Sequence, residues 1–133
     1  MSVVVIDASV IGSALVGSSA NAHRAQTAML GRALIAPQLL DLEVLSVVRK
    51  RLFTGHVAPA RAETAVDVFR SMLIRRYDHA ALTRRAWELR ENFTPYDAAY
   101  VALAEALDVP LMSGDLRLLR AAERLCRVVP VAP

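Results

Sequence analysis

One cysteine, one lysine and one tryptophan stand in a chain of 133 residues, and the scarcities exclude whole classes of protein. A lone Cys126 permits no internal disulfide. His23, His56 and His79 show no ligand spacing, so nothing here supports zinc. Cys126 has apolar neighbours and is expected to be a small core residue within a strand. No apolar run approaches the ~20 residues of a membrane-crossing helix. The start, Met1-Ser2-Val3-Val4-Val5-Ile6-Asp7, lacks a basic segment and meets an acid too soon for a secretory leader, so a cytoplasmic protein with no membrane partner is expected. Internal repeats, low-complexity tracts and a convincing interdomain linker are also missing, which favours one domain over residues 1–133.

What is present fits that expectation. Hydrophobic residues make up 55% and charged residues 22%, and a chain of this length can bury roughly two-thirds of its unfolded surface. The net charge is +3, and fifteen of the sixteen basic residues are arginine, Lys50 being the exception. Arginine suits bidentate contacts with phosphate. The same preference also follows from GC-rich coding, so charge alone leaves a nucleic-acid footprint open.

The chain alternates between strand-like and helix-like stretches. Ser2–Ile6 is mostly Val and Ile without alternation, as in a central parallel strand covered on both faces. A polar turn over Gly17–Asn21 precedes a helix over Ala22–Leu30 closed near Gly31. Leu34–Ala36 reads as a short strand, and Pro37 leads into a helix reaching about Leu52, with Leu40, Val44, Leu45, Val47, Val48 and Leu52 at helical spacing. Gly55–Pro59 reads as a linker and Ala60–Phe69 as a helix. Met72-Leu73-Ile74 with Tyr77 suggests an edge strand, weakened by Arg75-Arg76. Ala80–Arg90 reads as a helix with Leu82, Ala86 and Leu89 inward and Trp87 packed beside them. Leu116–Leu125 comes next as a helix and Cys126–Val131 as a last strand. This order predicts an α/β fold with a central, mainly parallel sheet flanked by helices.

The organising stretch is Thr94–Asp115. Thr94 is a good N-cap, Pro95 suits the first helical position, and an Ala-rich helix continues to Leu107. Val109–Met112 is long enough for one buried strand, and Asp115 lies just past its end. Taken singly the acids have plain structural readings, Asp97 favouring the helix dipole and Asp115 capping the next helix. Asp7 or Ser9 can likewise cap the segment after the first strand, and Arg49-Lys50-Arg51 reads as a solvated helix end. Taken together, Asp7, Glu43, Asp97 and Asp115 all fall at strand ends or helix starts, which share the carboxyl edge of a βα sheet. Carboxylates gathered there repel one another unless a cation compensates, and hard oxygen ligands suit Mg²⁺ or Mn²⁺. Such an ion activates water and neutralises a phosphodiester.

With these residues in view the chain resembles a PIN-domain ribonuclease, specifically a VapC-type toxin of a bacterial toxin–antitoxin pair. The resemblance runs through Val4-Val5-Ile6-Asp7-Ala8-Ser9, Ala36-Pro37 leading to Leu42-Glu43-Val44, Tyr96-Asp97-Ala98-Ala99-Tyr100-Val101-Ala102-Leu103-Ala104, and Leu111-Met112-Ser113-Gly114-Asp115. The third segment is the most specific. The resemblance implies that Asp7, Glu43, Asp97 and Asp115 are metal-binding, catalytic carboxylates with Ser9 and Ser113 as polar support. The family commonly has Thr where Ser113 stands, and serine keeps the hydroxyl. It also implies an RNA substrate, a homodimer, and a cognate antitoxin whose C-terminal segment covers the acidic site. Arg117 and Arg120 are candidates for contact with the RNA backbone.

Rival readings fare worse on the same residues. A haloacid-dehalogenase-like phosphatase wants a second acid two residues after Asp7, where Ser9 stands, and a late catalytic lysine, which is missing. A receiver domain fails for similar reasons. Ser9 has no evident His partner for nucleophilic catalysis. The remaining alternative is a catalytically degenerate PIN fold acting as an interaction module, and the presence of all four acids weighs against it.

Overall fold

The computed structural model describes residues 1–131. Strand β1 (Ser2–Ile6) lies at the centre of a five-stranded sheet ordered β3-β2-β1-β4-β5, with β2 (Arg32–Pro37), β3 (Ile74–Tyr77), β4 (Leu111–Ser113) and β5 (Val128–Pro130). Every pairing is parallel. Val4, Val5 and Ile6 are fully buried, as the unalternating run requires of a strand covered on both faces.

The helices are α1 (Ala8–Val16), α2 (Ser19–Met29), α3 (Leu40–Phe53), α4 (Pro59–Ser71), α5 (Thr83–Glu88), α6 (Pro95–Leu107) and α7 (Leu116–Ala122). From β1 the chain winds outward through β2 to β3, then returns to β4 and β5 on the other side of β1. Right-handed crossovers therefore put α1–α4 on one face and α5–α7 on the other. The packing agrees: α1 lies against α2, α3 and α4, while α6 crosses β1, β2 and β4. The winding reverses between β1 and β4, and their carboxyl ends open onto a crevice where ligands bind in sheets of this kind.

Several elements depart from the sequence expectation. Helix α1 has no counterpart in it, because Ala8, Val10, Ile11, Ala14 and Val16 are buried around most of its circumference and leave no polar face to mark a helical period. Its Gly12 lies so close to α3 that an added Cβ would stand 2.5 Å from Val47 Cγ1. Helix α2 starts at Ser19, three residues early, because the Ser18 side chain accepts the Asn21 N–H. Strand β3 includes Arg75 and Arg76. Arg76 is tolerated there because it pairs with Asp41 at the start of α3 (2.8 Å) and lies over the Phe69 ring.

The segment expected as one helix over Ala80–Arg90 is a 3-10 turn (Ala80–Leu82) continued by α5. Its Trp87 is 62% exposed rather than packed with Leu82 and Leu89, while Arg85, two positions earlier and so on the other side of the helix, makes a two-point ion pair with Glu105 (2.7 and 3.0 Å). At the far end α7 stops at Ala122, and Cys126 precedes β5 rather than lying in it; the thiol is half-buried against the core. Helix α6 has the expected limits. It closes at Asp108, whose left-handed backbone (φ 51°) lets Val109 N–H reach the Ala104 carbonyl. No helix among the described residues is long and apolar enough to cross a membrane.

A four-acid cleft as candidate active site

Asp7 comes directly after β1 and is the N-cap of α1, so its position is set by strand and helix together. It is 7% exposed. Oδ1 accepts the Ser9 hydroxyl (2.6 Å) and the Ser9 N–H (3.1 Å), and Oδ2 accepts the Ser113 hydroxyl. Ser113 Oγ in turn accepts the Asp115 N–H (2.9 Å), and Ser9 Oγ accepts the Gly114 N–H (2.9 Å). Two hydroxyls thus bridge the carboxyl ends of β1 and β4 and bind the loops carrying Asp7 and Asp115 to one another. Gly114 leaves little room there, since an added Cβ would come within 3.3 Å of Ser9 Oγ and 3.4 Å of the Val131 carbonyl.

The other acids arrive from helix starts. Asp97 lies in the first turn of α6 beneath the Thr94 cap, which accepts the Asp97 N–H (3.2 Å). Asp115 caps α7 by accepting the Arg117 and Leu118 N–H groups (3.0 and 3.2 Å). Glu43 lies in the first turn of α3, half-buried, and its Oε1 accepts the Tyr100 hydroxyl (2.6 Å). All four carboxylates, with Ser9, line one open cleft of about 350 Å³.

The electrostatics of the cleft result from that crowding. Burial pushes Asp7 above the usual carboxylate range, against the opposing pull of its hydrogen bonds from Ser113 and Ser9. Glu43 is raised by burial first and by the charges of Asp7 and Asp97, with the Tyr100 hydrogen bond acting the other way. Asp97 is raised by burial and by the charge of Asp115, while Arg117 offsets part of that. Tyr100 is pushed far up by burial and by Glu43, so it remains a phenol that donates. Asp7, Glu43 and Asp97 are thus all held above their ordinary values, a crowding of carboxylates that a cation would relieve.

The donor set fits a divalent cation of the Mg²⁺ type: it is all oxygen and carboxylate-rich, with no sulfur or imidazole lining the cleft. Among the described residues no three His, Cys, Asp or Glu side chains form a preassembled ligand cage. The cluster is open, which suits an ion that keeps most of its shell for water and substrate phosphate.

The fold therefore brings Asp7, Ser9, Glu43, Asp97 and Asp115 together, with Ser113 buried directly behind Asp7. Arg117 stands at the rim, close enough for its charge to act on Asp97. Arg120 is exposed further along α7 and does not line the cleft. Tyr100 and Ser46 also line it, and sequence reasoning gave neither a role. A signal for Tyr100 existed: it lies three residues after Asp97, which puts both on one helix face. Ser46 has the same relation to Glu43.

Comparison with known proteins adds an independent line. A family model described as the PIN domain matches residues 4–124. Ribonuclease VapC1 of Mycobacterium tuberculosis is 38% identical over 125 residues, covering 93% of this chain and 94% of the relative. Ribonuclease VapC9 of the same organism is 34% identical over 128 residues, covering 96% and 98%. Among solved structures, M. tuberculosis VapC20, described as a sarcin-ricin loop cleaving toxin, has a TM-score of 0.68 at 17% identity, covering 89% of this chain and 94% of that one. VapBC2 from Rickettsia felis, solved bound to a DNA fragment from their promoter, has a TM-score of 0.67 at 13% identity, covering 96% and 98%. At those identities the solved structures speak to fold alone.

Proposed function

The chain belongs to the PIN-domain family, and from that membership we propose that it is a metal-dependent endoribonuclease, the toxin of a toxin–antitoxin pair, hydrolysing an RNA phosphodiester in the four-acid cleft. The observation that carries the reading is the convergence of Asp7, Glu43, Asp97 and Asp115, from four separate segments, on one cleft. Fold by itself would not suffice, since a fold hosts many functions. The ribonuclease names of the relatives support the reaction class.

Asp7, Asp97 and Asp115 would hold Mg²⁺ or Mn²⁺, with Glu43 binding directly or through water. When bound, the ion supplies an activated water and charge neutralisation at the phosphodiester. The chain's own residues set the stage for both. Ser9 and Ser113 fix the Asp7 carboxylate, Ser9 donating its hydroxyl and N–H to Oδ1 and Ser113 its hydroxyl to Oδ2. Tyr100 orients Glu43 and, being a firm donor, keeps it ionised more readily than its burial would. Arg117 gives the cleft rim a cation for the RNA backbone, so that an acidic cluster does not face a polyanion unaided. Arg120 would extend that contact along α7. The protein is expected to work in the cytoplasm as a homodimer, silenced by a cognate antitoxin that covers the acids.

The test is cleavage of a mixed RNA pool by the purified chain, freed of any partner, with Mg²⁺ or Mn²⁺, beside Asp97→Asn and an EDTA control. Cleavage that disappears in both controls supports the proposal. A folded chain that neither binds metal in a calorimetric titration nor cuts RNA sinks it and leaves the interaction module.

A further inference from the structure

A second cavity, of about 340 Å³, adjoins the acidic cleft, and the first turn of α6 is the wall between them. Pro95, Tyr96 and Ala99 face the cavity, whereas Asp97 and Tyr100 face the acids. The start of α3 makes the same division: Leu39 lines the cavity, and its carbonyl accepts the N–H of Glu43 (3.1 Å), which lines the cleft. A ligand group held in this cavity is thereby held against the catalytic acids by two short pieces of backbone.

The cavity is apolar at its floor, where Leu82 and Ala99 are buried, and aromatic at its mouth. Trp87 is 62% exposed and Tyr96 is 64% exposed, so two large rings that burial would favour stand open around one space. The polar groups are few and placed. The Arg90 guanidinium lies over the Trp87 ring, 4.6 Å from its centroid, and its Nη1 donates to the Trp87 carbonyl (3.1 Å), so the cation is held at the rim. His79, which also lines the cavity, accepts the Leu39 N–H at Nε2 (2.9 Å), which leaves Nδ1 as the donor nitrogen of its ring.

We infer that this cavity is a nucleobase subsite, which takes one unpaired base of the RNA strand next to the phosphodiester in the four-acid cleft. The inference rests on the ribonuclease reading and deepens it by assigning a source of substrate choice. Its chemistry matches a base in three respects. Flat π-faced rings stack on Trp and Tyr. A pinned guanidinium meets the adjoining phosphate, which is the charge complementarity an RNA strand offers. The Nδ1–H donor of His79 suits a base edge acceptor. The volume lies near the lower end of small-ligand clefts, roughly 300–1,000 Å³, enough for one heterocycle and its sugar but short of the elongated groove that a partner helix would need.

Trp87 is the only tryptophan in the chain, so its fluorescence reports directly on this cavity. The experiment titrates the wild-type chain, in EDTA to prevent cleavage, with a short single-stranded oligoribonucleotide and with an abasic ribose-phosphate strand of equal length. Saturable quenching by the first and not the second is expected. Tyr96→Ala should weaken binding about tenfold, with Tyr96→Phe restoring it, because the ring and not the hydroxyl does the stacking. With metal added, Trp87→Ala and Tyr96→Ala should lower kcat/KM mainly through KM and relax the map of cut sites in a mixed RNA pool. Equal quenching by the abasic strand, or folded variants that cut with unchanged efficiency at unchanged sites, overturns the subsite while the ribonuclease reading survives. A folded wild-type chain that neither binds metal nor cuts RNA means that the ribonuclease reading itself has failed. Quenching by a protein partner and none by any oligonucleotide would assign the cavity to that partner and overturn the inference.

Discussion

The Tyr100 hydroxyl, on α6, donates a 2.6 Å hydrogen bond to Glu43 on α3, joining helices that pack on opposite faces of the sheet. The contact lies over the carboxyl edge, where the two faces meet. Tyr100 is 2% exposed, and its hydroxyl is the only polar part of an otherwise apolar insertion into the core.

Tyr100→Phe removes the donor and keeps the ring, so the fold should be retained. Without that donor the Glu43 pKa rises further, because burial and the charges of Asp7 and Asp97 then act unopposed. Calorimetric titration should show Mn²⁺ affinity lowered by about tenfold, in the range found when partners of metal ligands are removed. The acid limb of the activity profile should move to higher pH. An unchanged profile and unchanged affinity would show that the hydrogen bond only stabilises the fold.

The raised carboxylates predict an inverted pH dependence of stability in the chelated protein. Asp7, Glu43 and Asp97 all sit above their ordinary values of 3.8, 4.5 and 3.8 in the folded state, so the folded protein binds protons more tightly than the unfolded chain. Stability should therefore fall as pH rises from those ordinary values through the raised ones, and Tm in EDTA should decline over that interval. Glu105 is lowered by Arg85 and has the opposite sign, with a window that closes at its ordinary value of 4.5, so the decline is read above that pH. Asp97→Asn should raise Tm at pH 7.5 in EDTA and flatten the slope, while abolishing activity. A Tm in EDTA that climbs as pH rises above 4.5 would contradict the raised carboxylates.

Ser113 is fully buried and satisfies two groups at once, the Asp7 carboxylate and the Asp115 N–H. Ser113→Ala leaves both without that partner and should cost about 1–3 kcal/mol in denaturant unfolding. Ser113→Thr keeps the hydroxyl and should recover most of that loss and the activity. If alanine and threonine behave alike, the hydroxyl has no part in joining β1 to β4.

At Gly12 α1 lies tight against α3, and Gly12→Ala should destabilise by about 1–3 kcal/mol through overpacking against Val47. The partner identifies the cause: in the double variant Gly12→Ala with Val47→Ala, unfolding should show a positive coupling that restores part of the loss. Additive effects would mean that a contact other than Val47 sets the cost, since alanine in a helix interior is by itself favoured over glycine.

Sequence alone determined the parallel α/β architecture and the four acids. The reason is local chemistry: an unalternating Val/Ile run must be covered on both faces, and Thr94-Pro95 must start a helix, so Asp7 and Asp97 fall where strands end and helices begin. The same logic located β4 and Asp115. What failed locally was the reading of α1 and Trp87. A helix buried around most of its girth shows no period, and nothing in the local apolar pattern shows that Trp87 stands exposed while Arg85 pairs with Glu105, twenty residues on. Only the tertiary structure decided which groups the acids meet. Ser113 reaches Asp7 across 106 positions and Tyr100 reaches Glu43 across 57, and nothing in the spacing of those residues announces either contact. Both arise because the sheet reverses its winding beside β1, which brings the carboxyl ends of β1 and β4 side by side and sets α3 and α6 across the same edge.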